Sequence, residues 1–106
     1  MTAPARTPWP FDDPENVAVL TTRGVMLDHE PIVFVLHDDD DGSWQFLCAR
    51  GASVERAMLV ALHEMVQLDA TVAELADLPR GWQASRAGPG APWIRGPQSS
   101  FAAEAE

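Results

Sequence analysis

The residue types with the most chemical potential sit together in one stretch, His37-Asp38-Asp39-Asp40-Asp41-Gly42-Ser43-Trp44. Carboxylates spaced around a glycine suggest a calcium loop, whose oxygen ligands alternate along a tight turn. Aligning Gly42 with the invariant glycine of an EF-hand puts Asp39 and Asp41 at the third and fifth positions. The same alignment puts His37 first and Cys48 twelfth, where an aspartate and a bidentate glutamate are required. The stretch is therefore not an EF-hand. A second decoy is His63-Glu64-Met65-Val66-Gln67, which opens like the H-E-x-x-H zinc motif but ends on glutamine. No metal site is expected.

Enzyme constellations are equally sparse. The chain has no tyrosine, no Gly-rich phosphate loop and no G-x-S-x-G elbow. Cys48 alternates in step with Trp44 and Phe46, which suits a small buried hydrophobe better than a nucleophile. The expectation is a protein that is not an enzyme, with no catalytic residues and no cofactor.

The four aspartates then have two readings. A polar hairpin tip favours aspartate, whose carboxylate bonds its own backbone, and this needs no partner. A turn needs one or two such residues, and adjacent unit charges ~4 Å apart repel by about 1 kcal/mol even in water. With Asp28 and Glu30, six acids fall in residues 28–41, and no arginine lies between Arg23 and Arg50. A solvated turn and a partner-binding acidic loop both fit.

The elements that must position these residues follow from pattern. Residues 17–22 (VAVLTT) and 32–37 (IVFVLH) read as strands, the second apolar enough for burial on both faces. Residues 43–48 (SWQFLC) make a third, placing Trp44, Phe46 and Cys48 on one face. Together 32–48 predict a β-hairpin around the aspartates, with the acidic 28–30 turn at the far end of the sheet. Residues 23–31 read as a turn that can carry a short strand at 25–27.

From Ser53, an N-cap, a main helix is expected over 53–68. Val54, Ala57, Met58, Ala61, Leu62, Met65 and Leu68 form its apolar stripe, and Val60 alone falls among the polar positions. A short second helix is expected near 71–77, capped by Asp69 or Thr71 and stopped by Pro79. Residues 80–86 read as extended. The fold class expected is α+β, a small antiparallel sheet of about three to four strands packed by those helices.

Proline punctuates the ends: four of nine lie in 4–14 and three in 89–97. Residues 1–15 read as a Pro-rich arm, 16–86 as a single domain, and 87–106 as a Gly/Pro/Ala-rich tail. Trp9 and Trp93 fall in these arms, where an aromatic must dock on the core or serve a dimer contact.

At 106 residues, one domain is expected. Sixteen acids against seven bases, all arginine, give a net charge of −9. Nucleic acid and anionic membrane both demand basic patches, so neither is an expected partner. Such a charge favours rapid encounter with a basic protein. A lone cysteine and the missing apolar leader pattern point to the cytoplasm.

Residues 19–86 resemble a family of small bacterial domains of unknown function grouped among the immunity proteins of polymorphic toxin systems. Residues 19–26 (VLTTRGVM) look like its opening strand, and 31–47 (PIVFVLHDDDDGSWQFL) are similar to its hairpin. Residues 59–86 resemble its closing region, in which Asp69 precedes a leucine-rich turn and a Pro-x-Gly. The resemblance implies inhibition of a toxin. The reading that results is a non-catalytic acidic module, an immunity-type inhibitor occluding a basic toxin domain. Asp38, Asp39, Asp40, Asp41 and Trp44 are its partner-binding candidates. The alternative is a homodimeric structural or regulatory domain, its second sheet face against its twin. A small-ligand binder or enzyme accessory domain is a third reading.

Overall fold

The computed structural model describes residues 9–49 and 54–98. Six strands are spread along it: β1 (Ala18–Thr22), β2 (Phe34–His37), β3 (Trp44–Leu47), β4 (Ala57–Ala61), β5 (Trp82–Ser85) and β6 (Ile94–Pro97). Two short helices, α1 (Arg23–Leu27) and α2 (Leu62–Leu68), and two 3₁₀ segments, Val54–Arg56 and Ala70–Leu75, complete it. The strands form one mixed sheet in the order β4-β1-β3-β2-β5-β6. β1 and β3 are parallel; every other neighbouring pair is antiparallel. The α+β class is as expected, but the sheet has six strands rather than three or four.

The hairpin forms where the alternation places it, with Phe34 opposite Leu47 and His37 opposite Trp44. Val35 and Phe46 are fully buried on its inner face. Its outer residues, Phe34 and Leu36, are half-buried, so β2 is not covered equally on both sides. Residues 28–33 and the aspartates lie at opposite ends of β2, which separates the two acidic groups.

The main correction falls on residues 57–61. They match a helical stripe, yet they pair with β1 along their whole length, from Ala57 opposite Thr22 to Ala61 opposite Ala18. A helix there would have left the outer edge of β1 without a ladder, and tertiary pairing overrides weak local propensity. Val60, the misfit on a helix, becomes regular on a strand: it sits opposite Val19 and packs on the core. The main helix thus shrinks to α2, with Leu62 and Met65 fully buried. Ser53, its expected cap, lies outside the described residues. The actual start is held differently. Glu64 accepts from the Ala61 N–H at 3.1 Å, and the first helical N–H groups, of Leu62 and His63, donate to the carbonyls of Val17 and Glu15 at 2.9 Å.

Residues 23–27 are helical rather than extended because Thr22 caps them, its hydroxyl accepting from the Val25 N–H at 3.3 Å. The second predicted helix is the 3₁₀ segment Ala70–Leu75. Asp69 caps it, accepting from the Thr71 N–H at 3.0 Å and its hydroxyl at 2.6 Å. Val72, Leu75 and Leu78 from this region join Leu62 and Met65 in a helical layer over the inner face of the sheet.

Both ends of the described chain join this body. Phe11 is buried edge-on to Trp44, with ring centroids 5.2 Å apart, and Trp9 packs beside it. At the other end β6 extends the sheet, Gln83 opposite Gly96 and Ala84 opposite Arg95. Ordered structure therefore continues past 16–86 on both sides.

Arg86 pins the layers together. Its side chain, buried to 2% exposure, donates to the Ile32 carbonyl at 3.0 Å, the Thr71 hydroxyl at 3.0 Å and the Asp69 carboxylate at 2.6 Å. Its guanidinium lies 4.2 Å from the centre of the Trp93 ring. Burial pushes the Asp69 carboxyl up, but hydrogen bonds from Thr71 and Arg86 outweigh it and hold the group below its ordinary value.

Candidate functional site: an acidic cleft at the hairpin tip

The loop between β2 and β3 closes through two backbone bonds: Asp38 N–H donates to the Ser43 carbonyl at 2.8 Å, and Gly42 N–H to the Asp38 carbonyl at 3.0 Å. Gly42 has φ of 72°, the left-handed region that costs any side chain energy, so glycine is what lets the strand re-enter. Within this loop the aspartates differ. Asp41 accepts from the Ser43 N–H at 3.0 Å and its hydroxyl at 2.7 Å, and these bonds hold its carboxyl below the usual range. Asp40 accepts from the Asp41 N–H at 2.8 Å. Asp38 takes the Gln45 side-chain amide at 2.8 Å. Asp39 contributes its carbonyl, which accepts from Arg80 at 2.7 Å. Turn formation thus uses two of the four carboxylates, Asp40 and Asp41.

Trp44 is placed differently from the candidate aspartates. It is 2% exposed and stacks on His37 with ring centroids 3.9 Å apart and planes 12° from parallel. Its indole N–H donates to the Asp13 carboxylate at 3.2 Å. Trp44 therefore forms the wall under the site rather than a surface a partner can touch.

Above this wall opens a cleft of about 430 Å³. Three distant segments meet there: Asp12 and Asp13 from the N-terminal arm, His37 and Asp41 from the hairpin, and Asp77 and Arg80 from the connection into β5. The arm is fastened by Trp9, whose indole N–H donates to the Asp13 carbonyl at 2.6 Å. Gly81, with φ of 84°, lets the chain turn directly against the hairpin, its N–H donating to the His37 carbonyl at 2.6 Å. His37 Nδ1 lies 2.7 Å from the Leu78 carbonyl, which can only accept. Nδ1 therefore carries the proton, and Nε2 is the atom left for other work.

Electrostatically the cleft has more acid than base. Asp12, Asp13, Asp41 and Asp77 line it, against Arg80 and His37. Asp77 pairs with Arg95 at 2.8 Å, which holds its carboxyl low. Arg80 gives one nitrogen to the Asp39 carbonyl, and among the described residues no ion pair holds Asp38, Asp39, Asp40 or Asp41. The arrangement suits a guanidinium or ammonium group from another molecule. Among the described residues no group of three or more His, Cys, Asp or Glu is placed to hold a metal ion. Cys48 is buried beside the Thr22 hydroxyl at 3.9 Å, away from any cleft described above.

Sequence reasoning missed Asp12, Asp13, Asp77 and Arg80. The usable signals were a pair of aspartates set between Phe11 and Pro14, and the turn-forming Pro79-Arg80-Gly81. No described helix is long and apolar enough to cross a membrane. No protein-family model, curated protein or solved structure matches this chain.

Proposed function

We propose that this chain is a non-catalytic acidic protein-binding module that inhibits a basic partner by occlusion, as an immunity-type inhibitor does to a toxin. The observation that carries this reading is the excess of carboxylates at the hairpin tip. They converge from three segments on a cleft, beyond what the turn requires and, among the described residues, with no ion pair for the aspartate run. A surplus of one sign at a concave site draws the opposite sign from a distance and accelerates encounter. Asp38, Asp39 and Asp40 steer from the rim, while Asp12, Asp13 and Asp41 receive a cationic side chain inside. Trp44 supports the floor.

The test is co-expression with a toxin domain encoded beside this gene, followed by binding kinetics on the purified pair. Growth is rescued by the wild-type chain. Replacing Asp38, Asp39, Asp40 and Asp41 by Asn slows association by ~10-fold or more at low salt and flattens its salt dependence. Unchanged association kinetics reject the steering role of this loop.

A further inference from the structure

His37 stands where several segments meet, and it is held there on every side but one. Its carbonyl accepts from the Gly81 N–H at 2.6 Å and from the Gln98 side-chain amide at 3.2 Å. Its ring stacks on Trp44, opposite it on β3, and Nδ1 donates to the Leu78 carbonyl at 2.7 Å. Ring plane and tautomer are thus fixed, and Nε2 has no hydrogen-bond partner among the described residues. A proton arriving at Nε2 changes the charge of the ring without breaking any of these bonds.

The charges around the ring come from three segments. The arm brings Asp12 and Asp13, the hairpin Asp41, and the connection into β5 Asp77, with Arg80 the fixed cation lining the same cleft. Arg95 reaches Asp77 from β6. Asp38, next to His37 in the chain, gives its carboxylate to Gln45 instead. Trp44 on β3, Trp82 on β5 and Gln98 after β6 are the other groups set against His37, and they are uncharged. Hydrogen bonds from Ser43 and Arg95 hold the Asp41 and Asp77 carboxyls low, so both stay ionised wherever an imidazole titrates.

We infer that His37 is the cleft's own counter-ion, a pH-sensitive device that competes with an incoming cationic side chain. This rests on the cleft as the site for a basic partner and adds how that site is regulated. While Nε2 is bare, the carboxylates outnumber Arg80 and attract a guanidinium. Once Nε2 is protonated, the imidazolium supplies a cation from within, stacked on the Trp44 ring, whose π face favours it. An incoming cation then meets like charge. The two exclude each other, so binding expels the proton and the proton weakens binding by the same factor. A basic partner is held at neutral pH and released on acidification.

The test titrates the full chain with N-acetyl-argininamide, a blocked arginine whose single charge is fixed, at about pH 5.5 and about pH 8 and constant salt. Backbone amide NMR shifts of Asp41, Gly42 and Arg80 report binding. Binding should be ~10-fold weaker at the lower pH. At about pH 6.5, adding the probe should move the His37 ring signals toward those of the neutral form. His37→Asn keeps a donor for the Leu78 carbonyl yet carries no charge, so it should bind equally at both pH values. Equal affinity at both in the parent chain overturns the inference and leaves the cleft standing as a cation site. So does a pH dependence that survives in His37→Asn or, where that variant does not fold, a His37 ring signal that the probe leaves unmoved. No binding at either pH rejects the cleft as a cation site, and the inference with it.

Discussion

Two arginine-carboxylate clusters in this molecule teach opposite lessons. Around Arg86 every guanidinium nitrogen is used, by the Ile32 carbonyl, Thr71 and Asp69, and Trp93 covers its face. Around Arg80 one guanidinium nitrogen meets a backbone carbonyl, while more carboxylates than cations gather in the cleft beside it, Asp77 alone of them paired with another arginine, Arg95. The first cluster centres on a buried guanidinium, and only the Asp69 side of it is partly open to solvent. The second is open and over-supplied with charge of one sign. Closure makes a structural pin, and surplus makes a surface for something else.

The largest effect that sharpens this contrast comes from Arg86→Ala. It strands a buried carbonyl and the Asp69 carboxylate, and should cost about 2–4 kcal/mol in denaturant unfolding. Asp69→Asn comes next, at about 1–2 kcal/mol. Because the folded Asp69 carboxyl lies below its ordinary 3.8, its contribution is complete above about pH 4. That contribution is lost as pH falls through the lowered value, so the Asn variant should show a flatter acid-unfolding curve than the parent. An equal acid slope in both would separate Asp69 from the pin. Gly42→Ala, forced into the left-handed region, should cost about 1–2 kcal/mol and disturb the loop on which the open cluster stands. Smallest are Asp39→Asn and Asp40→Asn. Both sites are exposed, and the thermal midpoint should hold or rise as like charges are removed. A clear fall in midpoint would place these residues with the structural cluster instead.

How far the sequence revealed each cluster depends on how local its causes are. The hairpin was readable because alternation, an Asp/Gly loop and the tryptophan all lie within residues 32–48. Residues 57–61 were misread because Ala-Met-Leu-Val-Ala suits a helix locally, and the strand exists only through its ladder with residues 18–22. β6 was hidden by glycine and proline, which usually mark tails but are tolerated on an edge strand. In the cleft, only the hairpin's share was visible. Asp12, Asp13, Asp77 and Arg80 arrive from segments whose meeting is fixed by Trp9, Gly81 and the His37–Leu78 bond. None of those contacts is written in spacing.

The position of β1 has a consequence for how the chain is made. It is the earliest strand to leave the ribosome, yet its neighbours are β3, at residues 44–47, and β4, at residues 57–61. It therefore has no hairpin partner to zip onto and must wait, unpaired, for some twenty-five further residues until β3 is made, and some forty until β4 is. Until then Val19 and Leu20 are available to other nascent strands. Synthesis speed and chaperone supply should thus govern the yield of this protein more than its final stability does.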